Sequence, residues 1–362
     1  MNINAYIKKF GKYTFEEAPF NDIDSILFTQ LVMMSFDYIE GFTGEICLKD
    51  ITPEMITDKI FYDSPDRKFN RNQLTSMIES KRFCDLKIIE IKRIFSEEKF
   101  NQFYACTIVL PNGDLYIGFR GTDITATGWK EDFVIALKDT YLGQIQGLEY
   151  VRYIIHRYRD CNFYIGGHSK GGNIAFFATL HLTTYEASRL IKAYSFDGPG
   201  FRRPLEEFPA YKYVKDKMVK YLTYLNMIGS MFYGYKNYKV VHSTGILLGG
   251  HDVYYWQVSK KLDGFNLAKD VSPLSKTFSK RFMAWIDSLP QRDRELSAAA
   301  FFDVFRSCKT IYDIPTKAPI DLINAKKVLS NYTPEDQESL NRVMKQLVKY
   351  MIQYAKIKEE NK

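Results

Sequence analysis

Gly167-His168-Ser169-Lys170-Gly171 is a GxSxG pentapeptide, set within Phe163 to Ala175 (FYIGGHSKGGNIA). The spacing has a steric cause. A serine on a sharp strand-to-helix turn has its hydroxyl lifted clear of a sheet, and the residues two before and two after it crowd each other, so both must be very small. The same turn aims the amide of Lys170 at the oxygen of a bound carbonyl, with the positive end of the following helix behind it. A bare pentapeptide of this kind arises by chance. Here a short apolar strand precedes it, an amphipathic helix follows, and Gly166 and Gly172 suit close strand–helix packing. The competing reading is an ordinary glycine-rich turn holding a phosphate.

A serine so placed needs a second amide donor, from the loop after an earlier strand. Phe119-Arg120-Gly121-Thr122-Asp123 follows the strand-like LYIGF. Gly121 lets the backbone approach a substrate, Thr122 offers its amide, and its hydroxyl could donate as well. Each such donor contributes about 3 kcal/mol to an acyl-transfer transition state. Arg120 reads as structural, with Asp123 or Asp132 as the expected partner.

In an open α/β sheet the chain order of such a site is serine, then acid, then histidine. Of the five histidines, His156 precedes the turn, His168 lies within it with its side chain expected inward, and His181 ends the following helix. His242 sits in the strand-like YKVVH. His251 follows Leu248-Gly249-Gly250, a loop from which a base can swing over Ser169; it is the expected base, with His242 in reserve. Asp197 closes the strand AYSF before Gly198-Pro199-Gly200, at a sheet edge where ligand-contacting loops gather, and is the expected acid. Asp216 reads as a solvated helix face. The loop after KYLTYL offers Asn226, which could orient an imidazole but would stabilise its cation less well.

The elements that must position these residues follow from periodicity. Leu86–Phe95, Phe103–Leu110 and Leu115–Phe119 read as strands, the last two joined by the turn Pro111-Asn112-Gly113-Asp114. Helices are expected at 147–157 and 170–181, and further strands at 163–165, 193–196, 220–225 and 238–242, the last of the sheet. Strands alternating with helices imply a mostly parallel sheet with helices on both faces. Residues 1–80 read as a helical addition, with a helix over Asn21–Glu40 capped by Asn21 or Asp22. Residues 81–261 form the expected core. Residues 262–362 read as helical again, at 278–286, 295–308 and 334–354, the last capped by Thr333 or Asn331.

FRGTD, WKEDF at Trp129–Phe133, GGHSKGGNIA, FDGPGF at Phe196–Phe201 and GHDVYYWQV at Gly250–Val258 together resemble a bacterial branch of the lipase-like α/β-hydrolases, distantly similar to the class 3 (fungal-type) lipases. The resemblance runs over about residues 1–310. It implies an α/β-hydrolase fold, a Ser169–Asp197–His251 site and an acyl ester substrate. One departure stands out: class 3 lipases usually take their acid from the loop that here reads Asn226-Met227-Ile228-Gly229.

The remaining composition narrows the field. Lys and Arg outnumber Asp and Glu by 50 to 43, with no run of five like charges, so nucleic acid is not implied, while contact with an anionic membrane face stays open. Five scattered cysteines suggest neither a disulfide framework nor a zinc site. No apolar run reaches the ~20 residues of a spanning helix, and the opening MNINAYIKKFGKY lacks the apolar stretch of a signal peptide, so a cytoplasmic protein is expected. The expected chemistry needs no metal or organic cofactor and acts on a small-molecule or lipid acyl ester. The alternatives are an amidase, peptidase or thioesterase on the same scaffold, or a silent hydrolase fold serving as a binding protein. Met227, Ile228, Met231 and Phe232 fit either core, the preferred reading, or an acyl pocket, and Arg202–Tyr213 reads as solvated surface, with a lid as the alternative. The oligomeric state is not legible.

Overall fold

The period-two pattern that starts near Leu86 becomes a nine-stranded sheet whose strands lie side by side in chain order: β1 Glu45–Cys47, β2 Lys87–Ser96, β3 Asn101–Val109, β4 Leu115–Phe119, β5 Phe163–His168, β6 Leu190–Phe196, β7 Met218–Thr223, β8 Tyr238–Val241 and β9 Leu267–Ala268. The computed structural model describes residues 2–360 except 246, 262, 306, 311 and 312. β1 to β4 are antiparallel, β4 to β8 parallel, and β9 antiparallel again. Thus YKVVH is not the last strand. β9 pairs beyond it, and β1 adds an edge from within the first 80 residues. Gly113 makes the β3–β4 turn at φ 87°, as its sequence demands.

The helices are α1 Ile3–Phe10, α2 Asp22–Val32, α3 Arg67–Ile78, α4 Ala126–Leu137, α5 Leu142–Arg157, α6 Lys170–Thr179, α7 Thr184–Arg189, α8 Tyr211–Val214, α9 Pro273–Ser288, α10 Gln291–Val304, α11 Ile314–Leu329 and α12 Pro334–Glu360. Among the described residues no helix is long and apolar enough to cross a membrane.

Two cores result, one on each face of the sheet. Alternate residues of a strand point to opposite faces. In β3, Tyr104, Cys106 and Ile108 therefore join the core under α1–α3, while Phe103 and Ala105 join the core under α5 and α6. β4 divides likewise, Tyr116 to the first and Ile117 and Phe119 to the second. The crossover helices cover one face and the N-terminal helices the other.

Asn21 caps α2 with a reciprocal box to Asp24. Asp24 is fully buried and pairs with Arg82 at 2.5 Å, while Tyr6 donates to it at 3.0 Å, fastening α1, α2 and the end of the α3 region together. Burial of Asp24 pushes its carboxyl up, against the pull of Arg82.

α2 ends at Val32, short of the expected Glu40. Ser35 is drawn away: its amide bonds Ile60 O at 2.8 Å, and its hydroxyl donates to Asp63 at 3.0 Å. Asp63 is also the partner of Arg120, at 2.7 Å, and Arg120 donates to Val32 O and Ser35 Oγ as well. Arg120 is thus structural, but neither Asp123 nor Asp132 holds it. Arg202–Tyr213 is not simply solvated either, since Leu205, Phe208 and Ala210 bury into the second core. Thr333 receives the Asp336 amide at 3.2 Å at the start of α12.

Candidate active site

Ser169 stands between β5 and α6 at φ 56°, ψ −127°, a left-handed geometry that a residue with a side chain adopts only under constraint. The steric reading of the pentapeptide holds in detail. A methyl on Gly167 would lie 2.2 Å from the Gly171 carbonyl carbon, and one on Gly171 would lie 2.2 Å from Phe119 O. Gly121 is equally confined, since its Cβ would sit 2.9 Å from His168 O. The β4 loop therefore runs directly against the serine turn.

The Thr122 and Lys170 amides make no hydrogen bond among the described residues, and both residues line the same cavity as Ser169. The Thr122 hydroxyl is already committed, donating to both Asp132 oxygens at 2.8 and 2.7 Å. Burial pushes the Asp132 carboxyl up to about 6, against the opposing effects of Lys170 and Thr122. The Lys170 amine points away, to Glu131 at 2.5 Å and to Gln102 Oε1 at 2.6 Å, both beneath the site.

Asp197 and His251 meet. His251 Nδ1 donates to Asp197 Oδ2 at 2.6 Å, which leaves Nε2 as the free ring nitrogen. Asp197 is fully buried, at φ 52° just beyond β6, and its amide bonds Tyr221 O at 2.8 Å. Asn226 is not a rival acid. It donates its amide to Asp197 Oδ1 and accepts the Ser230 amide at 2.7 Å, so the loop after β7 orients the carboxylate supplied after β6. Burial lowers the His251 pKa, but the hydrogen bond and charge of Asp197, helped by Asp252 and Asp132, outweigh it and leave the imidazole above its ordinary value.

Ser169 and His251 line one cavity of about 610 Å³. Among the described residues no hydrogen bond joins them, a looseness common in sites awaiting substrate. His242 and Asp216 do not line the cavity, and Asp216 is exposed.

The roles of His168 and Asn173 escaped the sequence reading. His168 does not simply turn inward: its Nε2 donates to His251 O at 2.9 Å, and the two rings lie 4.6 Å apart. Burial and the neighbouring His251 push its pKa well below the ordinary value, so it stays neutral. Asn173, one turn into α6, donates to Pro199 O and Gly200 O at 3.1 and 2.9 Å and fixes the loop after Asp197. Ile228, Met231 and Phe232 line the cavity, joined there by Phe282 of α9, while Phe232 also packs against the second core and Met227 does not reach the cavity. The GGHSKGGN run could have suggested Asn173; the other contacts span long stretches of chain.

A strand–serine–helix turn at the carboxyl edge of a mostly parallel sheet, with an Asp–His pair on later loops, defines an α/β-hydrolase fold of the lipase-like kind. The chain belongs to the Mbeg1-like family, whose sequence profile matches residues 77–303. A search of curated protein sequences finds no match. Among solved structures, the chain is similar to the Lip2 lipase of Yarrowia lipolytica, with 12% identity, 51% of this chain and 72% of that one covered, and a TM-score of 0.33. A lipase from a fungal lipase–inhibitor complex gives 17% identity, 48% and 68% coverage and a TM-score of 0.33. A mutant form of MDLA from Penicillium cyclopium gives 11%, 73% and 86%, and 0.36. Similarity at this level carries no chemistry from those chains to this one.

Proposed function

We propose that this protein is a serine hydrolase that cleaves carboxylic esters, with Ser169 as nucleophile, His251 as base and Asp197 as acid. The observation that carries the reading is the 2.6 Å His251–Asp197 hydrogen bond, made on the wall of the cavity that Ser169 also lines. Neutral His251 takes the Ser169 proton on Nε2 as Oγ attacks the ester carbonyl. The Thr122 and Lys170 amides hold the oxyanion. The carbon–oxygen bond to the alcohol then breaks, and the alcohol leaves with the proton from His251. Water repeats the sequence on the acyl-enzyme and releases the acid. Asp197 holds the imidazole tautomer and stabilises its cation. Ile228, Met231, Phe232 and Phe282 supply an apolar wall suited to an acyl chain.

The test is covalent labelling with a fluorophosphonate probe, read by mass spectrometry, alongside hydrolysis of p-nitrophenyl esters of graded chain length. Labelling at Ser169, lost in Ser169→Ala and His251→Ala together with hydrolysis, is the expected result. A folded wild type that neither labels nor hydrolyses any ester, even after brief detergent treatment, overturns the reading.

A further inference from the structure

The cavity has a second wall of different chemistry. Where Ile228, Met231 and Phe282 are apolar, the side built from α2, the start of α3 and the loop after His251 presents Gln30, Asp66, Asn70, Asp252 and Tyr254. The first three come from the N-terminal helices, outside the stretch matched by the family profile.

Two features set this wall apart from ordinary polar surface. Gln30 is 5% exposed and lines the cavity, yet its side-chain amide makes no hydrogen bond among the described residues. Asn70 is 2% exposed; its nitrogen donates to Ser64 at 2.6 Å, while its oxygen has no partner among the described residues. Buried polar groups are nearly always satisfied, so the Asn70 oxygen is a vacancy, while the Gln30 amide stays open to the cavity and free to meet a ligand. The second feature is charge. Among the described residues neither Asp66 nor Asp252 forms an ion pair. Asp66 accepts the Phe69 amide at 2.8 Å as the cap of α3. Burial raises the Asp252 pKa against the opposing effects of His251 and of a hydrogen bond from Tyr254, and Asp66 adds to the rise, so the two carboxylates feel each other across the wall. The cations nearby are turned elsewhere. The Lys170 amine is bound to Glu131, and the Arg67 guanidinium lies over the Tyr62 ring at 5.5 Å. The chain carries a net charge of +7, so an acidic cavity wall runs against the overall balance.

We propose that this wall is a leaving-group subsite for an alcohol bearing a protonated amine. The proposal rests on the ester-hydrolase reading above. The mechanism decides which part of the ester lies here. The alcohol receives its proton from His251, so it must depart along the loop that carries His251, Asp252 and Tyr254. An ammonium group there meets two carboxylates, can donate to the Gln30 and Asn70 side-chain oxygens, and has the Tyr254 ring beside it for a cation–π contact. An anionic head, such as a phosphate or carboxylate, would face Asp66 and Asp252 without a free counter-cation.

The test compares three hexanoate esters: that of 3-(dimethylamino)propan-1-ol, that of its neutral isostere 4-methylpentan-1-ol, and that of 4-hydroxybutanoate. For the wild type, kcat/KM for the ammonium ester should exceed that for the isostere by about tenfold, and the anionic ester should be the poorest. The preference should shrink as salt rises. Asp252→Asn and Asp66→Asn, the latter still able to cap α3, should each move the ammonium-to-isostere ratio towards one. A ratio taken on one enzyme cancels changes common to both esters. A wild-type ratio near one, or a preference for the anionic ester, overturns the subsite and leaves the hydrolase reading standing. The three esters are also titrated onto Ser169→Ala protein by calorimetry. If no ester is hydrolysed, tighter binding of the ammonium ester still upholds the subsite, and equal binding of the ammonium ester and its isostere overturns it.

Discussion

His168 donates its Nε2 proton to the backbone carbonyl of His251, so the residue before the candidate nucleophile holds the residue that would activate it. The two rings lie 4.6 Å apart, and Trp256 packs edge-on against His168 at 6.3 Å. His168→Phe preserves the ring and removes the donor. Its expected effect is a fall in kcat of about tenfold through misplacement of the imidazole, with little change in melting temperature. Ester kinetics and a thermal melt on the same sample check it. Unchanged kcat would make His168 a packing residue only.

The His251–Asp197 pair sets a pH profile. A base must be neutral to accept the serine proton. The partners of His251 raise its pKa above 6.5, so kcat/KM should climb with pH through a limb centred above that value. Asp197→Asn removes the charge that favours the imidazolium while burial still opposes it. The limb should move down, and kcat should fall by about 10⁴-fold as the tautomer is lost. A limb that stays in place in the variant would detach Asp197 from His251.

Asp132 should cost stability at neutral pH. Its folded pKa, pushed up to about 6, exceeds the ordinary 3.8, so the folded protein keeps this proton longer than the unfolded chain. The cost is absent below about pH 4, grows between there and pH 6, and is complete above. Asp132→Asn, which can still hydrogen-bond Thr122, should therefore melt higher than wild type at pH 7.5 and at the same temperature near pH 4. Equal melting temperatures at both pH values would show that the carboxyl is better solvated than its position suggests.

Asp63 should be among the costliest surface-adjacent residues to remove. Asp63→Ala leaves Arg120, 1% exposed, without its carboxylate, and should lose about 3–5 kcal/mol in urea unfolding. The exposed Lys276–Asp270 pair is the contrast: Asp270→Ala should lose about 1 kcal/mol or less. Similar losses for both would remove the distinction between them.

The serine turn was legible because half of its constraint is local: a side chain on Gly167 collides with the Gly171 backbone within five residues, while Gly171 is held small by Phe119 at the end of β4. Long strands with a clear period were legible for the same reason. α4 was not, since ATGWKEDFVIAL carries a glycine in its first turn and no regular apolar stripe; its one local signal is Thr125, which caps it by accepting the Gly128 amide at 3.1 Å. α11 hides behind Pro315 and Pro319. β1 and β9, of three and two residues, are too short for any period to register. Asp197 could be ranked first from its place at a strand end, but its support from Asn226, 29 positions on, exists only once β6 and β7 are paired. Nothing in the sequence around Gln30 or Asn70 marks either residue, because they reach the cavity only once α2 and α3 fold over it.

Among the described residues, five other than glycine adopt positive φ, and three of them are Ser169, Asp197 and the cavity-lining Phe232. Each such backbone costs on the order of 1–3 kcal/mol that glycine would largely relieve. At Asp197 the carboxylate's bonds to His251 and Asn226 oppose that relief, whereas among the described residues the Ser169 hydroxyl makes no hydrogen bond that glycine would forfeit. Ser169→Gly should therefore raise the melting temperature, a stability this chain forgoes by keeping a hydroxyl at that turn.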